Sequence, residues 1–146
     1  MATEGGGRWL LLVEDNEDDE RLAARAIKRA AVQAVVTVAR DGEEAVHTLE
    51  AVSARLPVLV LLDIMLPKLS GLDVLRWMRE REAYRAVPAV VMVGPLHSVD
   101  LASIYALGAN SLVRKELDYE LYMDRMVSTL RYWMDVNATP QGVVLL

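Results

Sequence analysis

Three carboxylates stand where apolar runs stop, and one lysine where a shorter strand-like segment stops. Trp9-Leu10-Leu11-Leu12-Val13 ends abruptly at Glu14-Asp15-Asn16, Leu56 to Leu62 ends at Asp63, and Ser111-Leu112-Val113-Arg114 ends at Lys115. Continuous apolar runs of this length read as strands buried on both faces. If the strands bring Glu14, Asp15 and Asp63 together, like charges at close range are costly without a cation among them. Hard oxygen ligands in a small cluster suit Mg2+, which keeps several waters and uses few carboxylates. A lysine reaching an anion beside such a cluster gives the outline of phosphoryl-transfer chemistry, where positioning and charge neutralisation do most of the work. Singly, each residue has a plainer reading: an acid after a strand is commonly a turn or cap residue, and a lysine at a strand end is commonly solvated. Only the combination points to chemistry.

The elements between these residues must position them. Residues 17–32 read as a helix with an acidic start and with Arg25, Lys28 and Arg29 later, matching the helix dipole. Val35-Val36-Thr37-Val38 is a short β-branched strand. Asp41 is placed to cap a second helix, with Glu44 three residues on in a capping-box pattern. Pro67 and Gly71 punctuate the loop before a third helix at about 72–82. Ala89 to Val93 is a fourth strand, followed by Gly94-Pro95; a fourth helix at about 98–107 ends at Gly108, suited to a left-handed cap. A long fifth helix spans about 117–136. Five such βα units predict an α/β fold: a doubly wound, five-stranded parallel sheet with helices on both faces and the flavodoxin-like order 2-1-3-4-5. In that order the first and third strands are neighbours, and the functional crevice lies at the carboxyl ends of the strands. Glu14, Asp15 and Asp63 then converge.

Composition narrows the classes. The 146 residues suit one domain, and the 53% that are hydrophobic supply its core from Val, Leu, Ile, Ala and Met, since Phe is absent. Sixteen basic against 21 acidic residues, net −5, argues against nucleic-acid binding, which phosphate contacts dominate. The absence of cysteine excludes disulfides, thiolate catalysis and cysteine metal sites. No stretch resembles a signal peptide, and the apolar runs fall far short of the roughly 20 residues a spanning helix needs. The expectation is a cytoplasmic chain without membrane or nucleic-acid partners. Residues 1–7 read as a disordered leader, 8–136 as the domain, and 137–146 as a tail extending from helix five.

Taken in order, Val13-Glu14-Asp15-Asn16, Arg40-Asp41-Gly42-Glu43-Glu44-Ala45, Leu62-Asp63-Ile64-Met65-Leu66-Pro67 with Gly71, Leu107-Gly108-Ala109-Asn110 and Lys115 resemble response-regulator receiver domains. The resemblance covers about residues 8–136. It implies Asp63 as phosphoacceptor, Asp15 as direct Mg2+ ligand and Glu14 as a ligand through water. It implies further that the backbone carbonyl of Met65 completes the metal site, that Lys115 pairs with the acceptor or its phosphate, and that the backbone at Met65 and Gly94 contacts the phosphoryl group. The donor would be a phosphohistidine on a sensor histidine kinase. The chain would be no enzyme, but a phosphoacceptor that assists its own phosphotransfer and dephosphorylation. Tyr132-Trp133-Met134 and Pro140, together with Glu14-Asp15-Asn16-Glu17-Asp18-Asp19 and Gly108-Ala109-Asn110, look like the stand-alone regulators of phytochrome-type kinases.

Three positions depart from the family pattern. Val93 stands where strand 4 normally ends in Thr or Ser, Leu112 where strand 5 normally carries an aromatic residue, and Glu116 where proline normally follows the lysine. A cis bond before a non-proline residue costs about 2.5–4 kcal/mol, so Lys115–Glu116 is expected trans, a change that would displace Lys115 relative to Asp63. A lost hydrogen bond to a charged group is worth about 1.5–3 kcal/mol, comparable with typical coupling between sites, so Val93 bears on switching more than on folding. Two functions stay open: a phosphoacceptor signalling module, or a degenerate receiver acting as a phosphorylation-independent interaction or dimerisation module. A hydrolase is disfavoured by the lack of a nucleophile elbow or a Walker loop. Along helix five, Tyr119, Met123, Met126, Leu130 and Trp133 form one apolar stripe, with Leu121, Val127 and Met134 outside it. That surplus predicts a homodimer through helix four, strand 5, helix five and the tail.

Overall fold

Each apolar run becomes a strand, and each strand carries its polar residue to the same edge. The computed structural model describes residues 7–51, 55–66, 68–95 and 98–138. The expectations for the leader before Gly7, for Pro67 and for the tail from residue 139 onward lie outside the described residues. The chain runs β1 (Trp9–Val13), α1 (Glu17–Ala30), β2 (Val35–Ala39), α2 (Gly42–Ala51), β3 (Leu59–Asp63), α3 (Gly71–Arg79), β4 (Ala89–Val93), α4 (Leu101–Ala106), β5 (Ser111–Arg114) and α5 (Tyr119–Arg131). All strand pairs are parallel, in the order β2-β1-β3-β4-β5. The predicted architecture is therefore the observed one.

Alternation along the strands divides the core. Trp9, Leu11 and Val13 face α2, α3 and α4, while Leu10 and Leu12 face α1 and α5. β1, β3 and β4 are buried at every position, as central strands covered on both faces must be. β3 starts and ends later than the apolar run, so Asp63 is its last residue, still paired in register with Met92.

Helix ends follow side-chain caps. The Asn16 side chain accepts from Asp19 N at 3.0 Å and starts α1, which stops where Ala31 turns left-handed at φ 57°. Asp41 accepts from Glu44 N at 2.8 Å as expected, but the returning arm of Glu44 reaches Arg40 N at 3.3 Å. A full capping box forms instead at Ser70 and Asp73, opening α3. α3 then ends at Arg79, short of the expected 82, because the chain tightens into a 3-10 turn at Glu82–Tyr84. α4 is also shorter than expected: Asp100 caps it, and within it only Ile104 is buried.

Two glycine-containing motifs find structural reasons. A Cβ on Gly71 would lie 2.2 Å from Asp63 O, so only glycine lets α3 begin against the end of β3. Gly108 adopts φ 108°, and its carbonyl accepts from Arg79 Nε at 2.8 Å. Asn110 Oδ1 accepts from Arg79 at 3.0 Å and from Ala89 N at 2.8 Å, which ties the start of β4 to α3 and to the turn before β5.

α5 corrects the predicted stripe. Its buried residues are Tyr122, Met123, Met126, Val127 and Leu130, and Met134 is buried in the π-type turn Tyr132–Val136 that follows. Val127 and Met134, read as surplus, belong to the core. Tyr119, read as core, is exposed, and Trp133 is only partly buried. The helix packs against α1 as well as the sheet, which widens its buried face beyond a single stripe.

Candidate functional site

The carboxyl edge of the sheet gathers the expected side chains. Glu14 follows β1 directly, its N–H held by Ala39 O of β2 at 2.9 Å. Asp63 ends β3 and Lys115 follows β5, with Lys115 N donating to Val93 O at 2.7 Å. The Lys115 ammonium donates to Glu14 Oε1 at 2.7 Å, Asp63 Oδ2 at 2.9 Å and Asp19 Oδ2 at 2.9 Å. The other Asp63 oxygen, Oδ1, accepts from Met65 N at 2.9 Å. Both oxygens of the expected acceptor are thus oriented, one by backbone and one by a cation. The Lys115–Glu116 peptide is trans, and the lysine reaches Asp63 all the same.

Burial makes this cluster electrostatically demanding. Glu14 and Asp63 are buried, at 1% and 5% exposure. Burial, helped by the hydrogen bond with Asp63, pushes the Glu14 carboxyl up to about 8, against the lowering pull of Lys115. Burial alone would lower the Lys115 ammonium, but its hydrogen bonds to Glu14 and Asp63 outweigh that and hold it well above its ordinary value. Tyr122, buried beside them, is pushed up to about 12.

The acids also fit a cation. One oxygen each from Glu14, Asp19 and Asp63 lies within 4.8 Å of the others. Three carboxylates against one ammonium leave excess negative charge in a partly dry site, the condition a divalent ion relieves. Asp15 is exposed and lines the same cavity of about 430 Å³, as do Met65, Gly94 and Pro95. Asp19 was not among the expected site residues. Its signal was present: positions 19, 23, 26, 27 and 30 form one helical face, and the last four are buried in α1. The run Glu17-Asp18-Asp19-Glu20 hid it by reading as a dipole complement.

The departures sit beside this cluster. Val93 is fully buried in the apolar core and offers no donor. Leu112 is partly buried and packs against that same core.

An acidic pocket that fits a cation, bridged by a lysine at the carboxyl edge of a doubly wound sheet, defines a class of α/β domain with its functional crevice at that edge. Residues 10–127 match the response regulator receiver domain, and the chain belongs to that family. It is 34% identical over 134 residues to a probable methanogenesis regulatory protein, FilR2, of Methanothrix harundinacea, covering 90% of this chain and 86% of that protein. The crystal structure of the Mn2+-bound response regulator Rcp1, a protein of Synechocystis sp., superposes with TM-score 0.82 at 26% identity, covering 91% and 99% of the two chains. The phosphorylated cyanobacterial phytochrome response regulator RcpA superposes with TM-score 0.83 at 28% identity, covering 92% and 99%. Receiver domains bind a divalent metal, work with histidine kinases and are not enzymes in the usual sense. Among the described residues, no helix is long and apolar enough to cross a membrane.

Proposed function

We propose that this chain is a response regulator that accepts a phosphoryl group on Asp63 from the phosphohistidine of a sensor histidine kinase, with Mg2+ at the acidic cluster. The supporting observation is the division of the Asp63 oxygens between Met65 N and the Lys115 ammonium. In the reaction an Asp63 oxygen bonds to phosphorus, the phosphorus–nitrogen bond breaks, and the imidazole leaves with the electron pair and takes a proton. Lys115 offsets charge on the transferring group. Glu14, Asp15, Asp63 and the Met65 carbonyl would hold the cation, which supplies further charge neutralisation when bound. The backbone at Met65 and Gly94, both lining the cavity, would meet the phosphoryl oxygens. The family likeness to phytochrome regulators favours a bacteriophytochrome-type kinase as donor, acting in the cytoplasm.

Val93 favours slow loading, because one donor to the transferring group is missing. Met65 and Pro95 favour slow loss, because neither side chain orients water. Val93 also motivates the second reading, a degenerate receiver used as an interaction module. A small phosphodonor with Mg2+ separates the two: a mass gain of one phosphoryl group, abolished by chelation, supports the first, and no gain from donor or kinase supports the second. Exposed Leu101 and Tyr105 on α4, and Tyr119 and Leu121 on α5, favour a homodimer through α4, β5, α5 and the tail. Light scattering that finds only monomer at high micromolar concentration removes that part.

A further inference from the structure

We propose that Asp19 is a positioning residue that holds the Lys115 ammonium in the unloaded protein and so opposes phosphoryl loading of Asp63. The inference rests on Asp63 as acceptor and adds a restraint to it. An ammonium has three N–H donors, and Lys115 spends them on Glu14, Asp63 and Asp19. Loading moves the Asp63 charge outward onto the phosphoryl oxygens, so the ammonium must follow it and loosen its contact to Glu14 or to Asp19.

Exposure decides which one. The Glu14 side chain is 1% exposed, and losing the ammonium would leave a buried carboxyl oxygen with no water to replace it. The Asp19 side chain is 35% exposed, so water replaces the ammonium there at least cost. The contact to Asp19 is therefore present before loading and released during it. An interaction of that kind stabilises the starting state and raises the barrier. Asp19 is held in place for this role: Asn16 fixes its backbone N–H, and the phase of the buried α1 face turns it toward the sheet. Its neighbours have other partners, since Asp18 pairs with Arg21 and Glu20 with Arg40. Dipole complementation alone asks for an acid in the first turn, not for one in contact with Lys115.

The test measures loading by acetyl phosphate at saturating Mg2+ in the full chain. Asp19→Ala is expected to raise the saturating rate about two- to fivefold, the range a partly exposed ion pair carries. The half-saturating donor concentration should stay unchanged. Asp19→Asn, which keeps an acceptor but loses the charge, should fall between, and it carries the test if the alanine variant folds poorly. Asp18→Ala should load like wild type. Two further readings need no loading. Acylation of Lys115 relative to Lys28 and Lys68, followed by mass spectrometry, should rise in Asp19→Ala. Mn2+ affinity, read by electron paramagnetic resonance, should fall only by the about two- to fivefold that one less nearby charge costs. Slower loading with a larger fall in Mn2+ affinity would make Asp19 a cation ligand and overturn the proposal. So would an unchanged rate, unchanged Lys115 acylation, or an equal rise in Asp18→Ala. No loading in any protein, wild type included, removes Asp63 as acceptor and the proposal with it.

Discussion

The ends of β3 and β5 and the end of β4 are adjacent, yet they are built from opposite materials. Asp63 and Lys115, with Glu14, form a buried polar cluster whose charged groups all have partners. Val93, at the end of β4, is buried with no donor, Leu112 packs into the apolar core, and α4 buries one residue. On the proposed function, the first region holds the groups that would serve loading. The second lacks the hydroxyl and the aromatic ring that the family resemblance leads one to expect at Val93 and Leu112. In that reading the two tasks would fall to separate residues, so one could persist while the other changes.

The largest effects should come from the polar region. Asp15→Asn should abolish loading while leaving stability within about 0.5 kcal/mol of wild type, because Asp15 is exposed. Chemical denaturation beside a loading assay checks both, and native-rate loading would remove Asp15 from the cation site. Lys115→Met should destabilise the cation-free protein by about 3 kcal/mol, the usual cost of leaving buried charge unpaired. A urea midpoint equal to wild type would show that protonation or water already carries that charge.

The apolar region should respond in the other direction. Val93→Thr should speed loading about tenfold, as one restored hydrogen bond to a charged group allows, with a small loss of stability from the hydroxyl buried before loading. No gain would mean that the end of β4 does not meet the transferring group. Smaller again is the effect of pH. Glu14, held up to about 8, must lose its proton to serve as a ligand, so divalent-cation affinity should rise with pH from about 5 and level off above about 8. Calorimetry in buffers of different ionisation enthalpy should count the released proton. By the same sign, cation-free stability should fall as pH rises between the ordinary Glu value and about 8, since the folded state holds the extra proton there. Met65→Asn should speed dephosphorylation severalfold, read as the decay of phosphoprotein after donor removal. A wild-type half-life of seconds would contradict slow loss.

The polar region was also the more legible one in the sequence. Glu14 and Asp63 follow apolar runs that read as buried strands, and strand order makes those strands neighbours, while Lys115 follows the shorter β5 and reaches across β4 with its long side chain. Asp19 needed the phase of α1, which Asn16 sets by capping, and four consecutive acids carry no phase of their own. Helix α4 was overdrawn because Ser98 and Val99 continue a helical pattern that Asp100, as cap, interrupts. The α5 face was misassigned because packing against both the sheet and α1 buries Val127 and Met134 as well as the predicted stripe.

Locating the phosphoryl group tests the central reading most directly. Protein loaded with a small phosphodonor and Mg2+ would be reduced with borohydride, digested and mapped by mass spectrometry, with Asp63→Asn treated in parallel. Modification at Asp63 alone, absent from the variant, is the expected result. Modification at another carboxylate, or equal loading of Asp63→Asn, would contradict it.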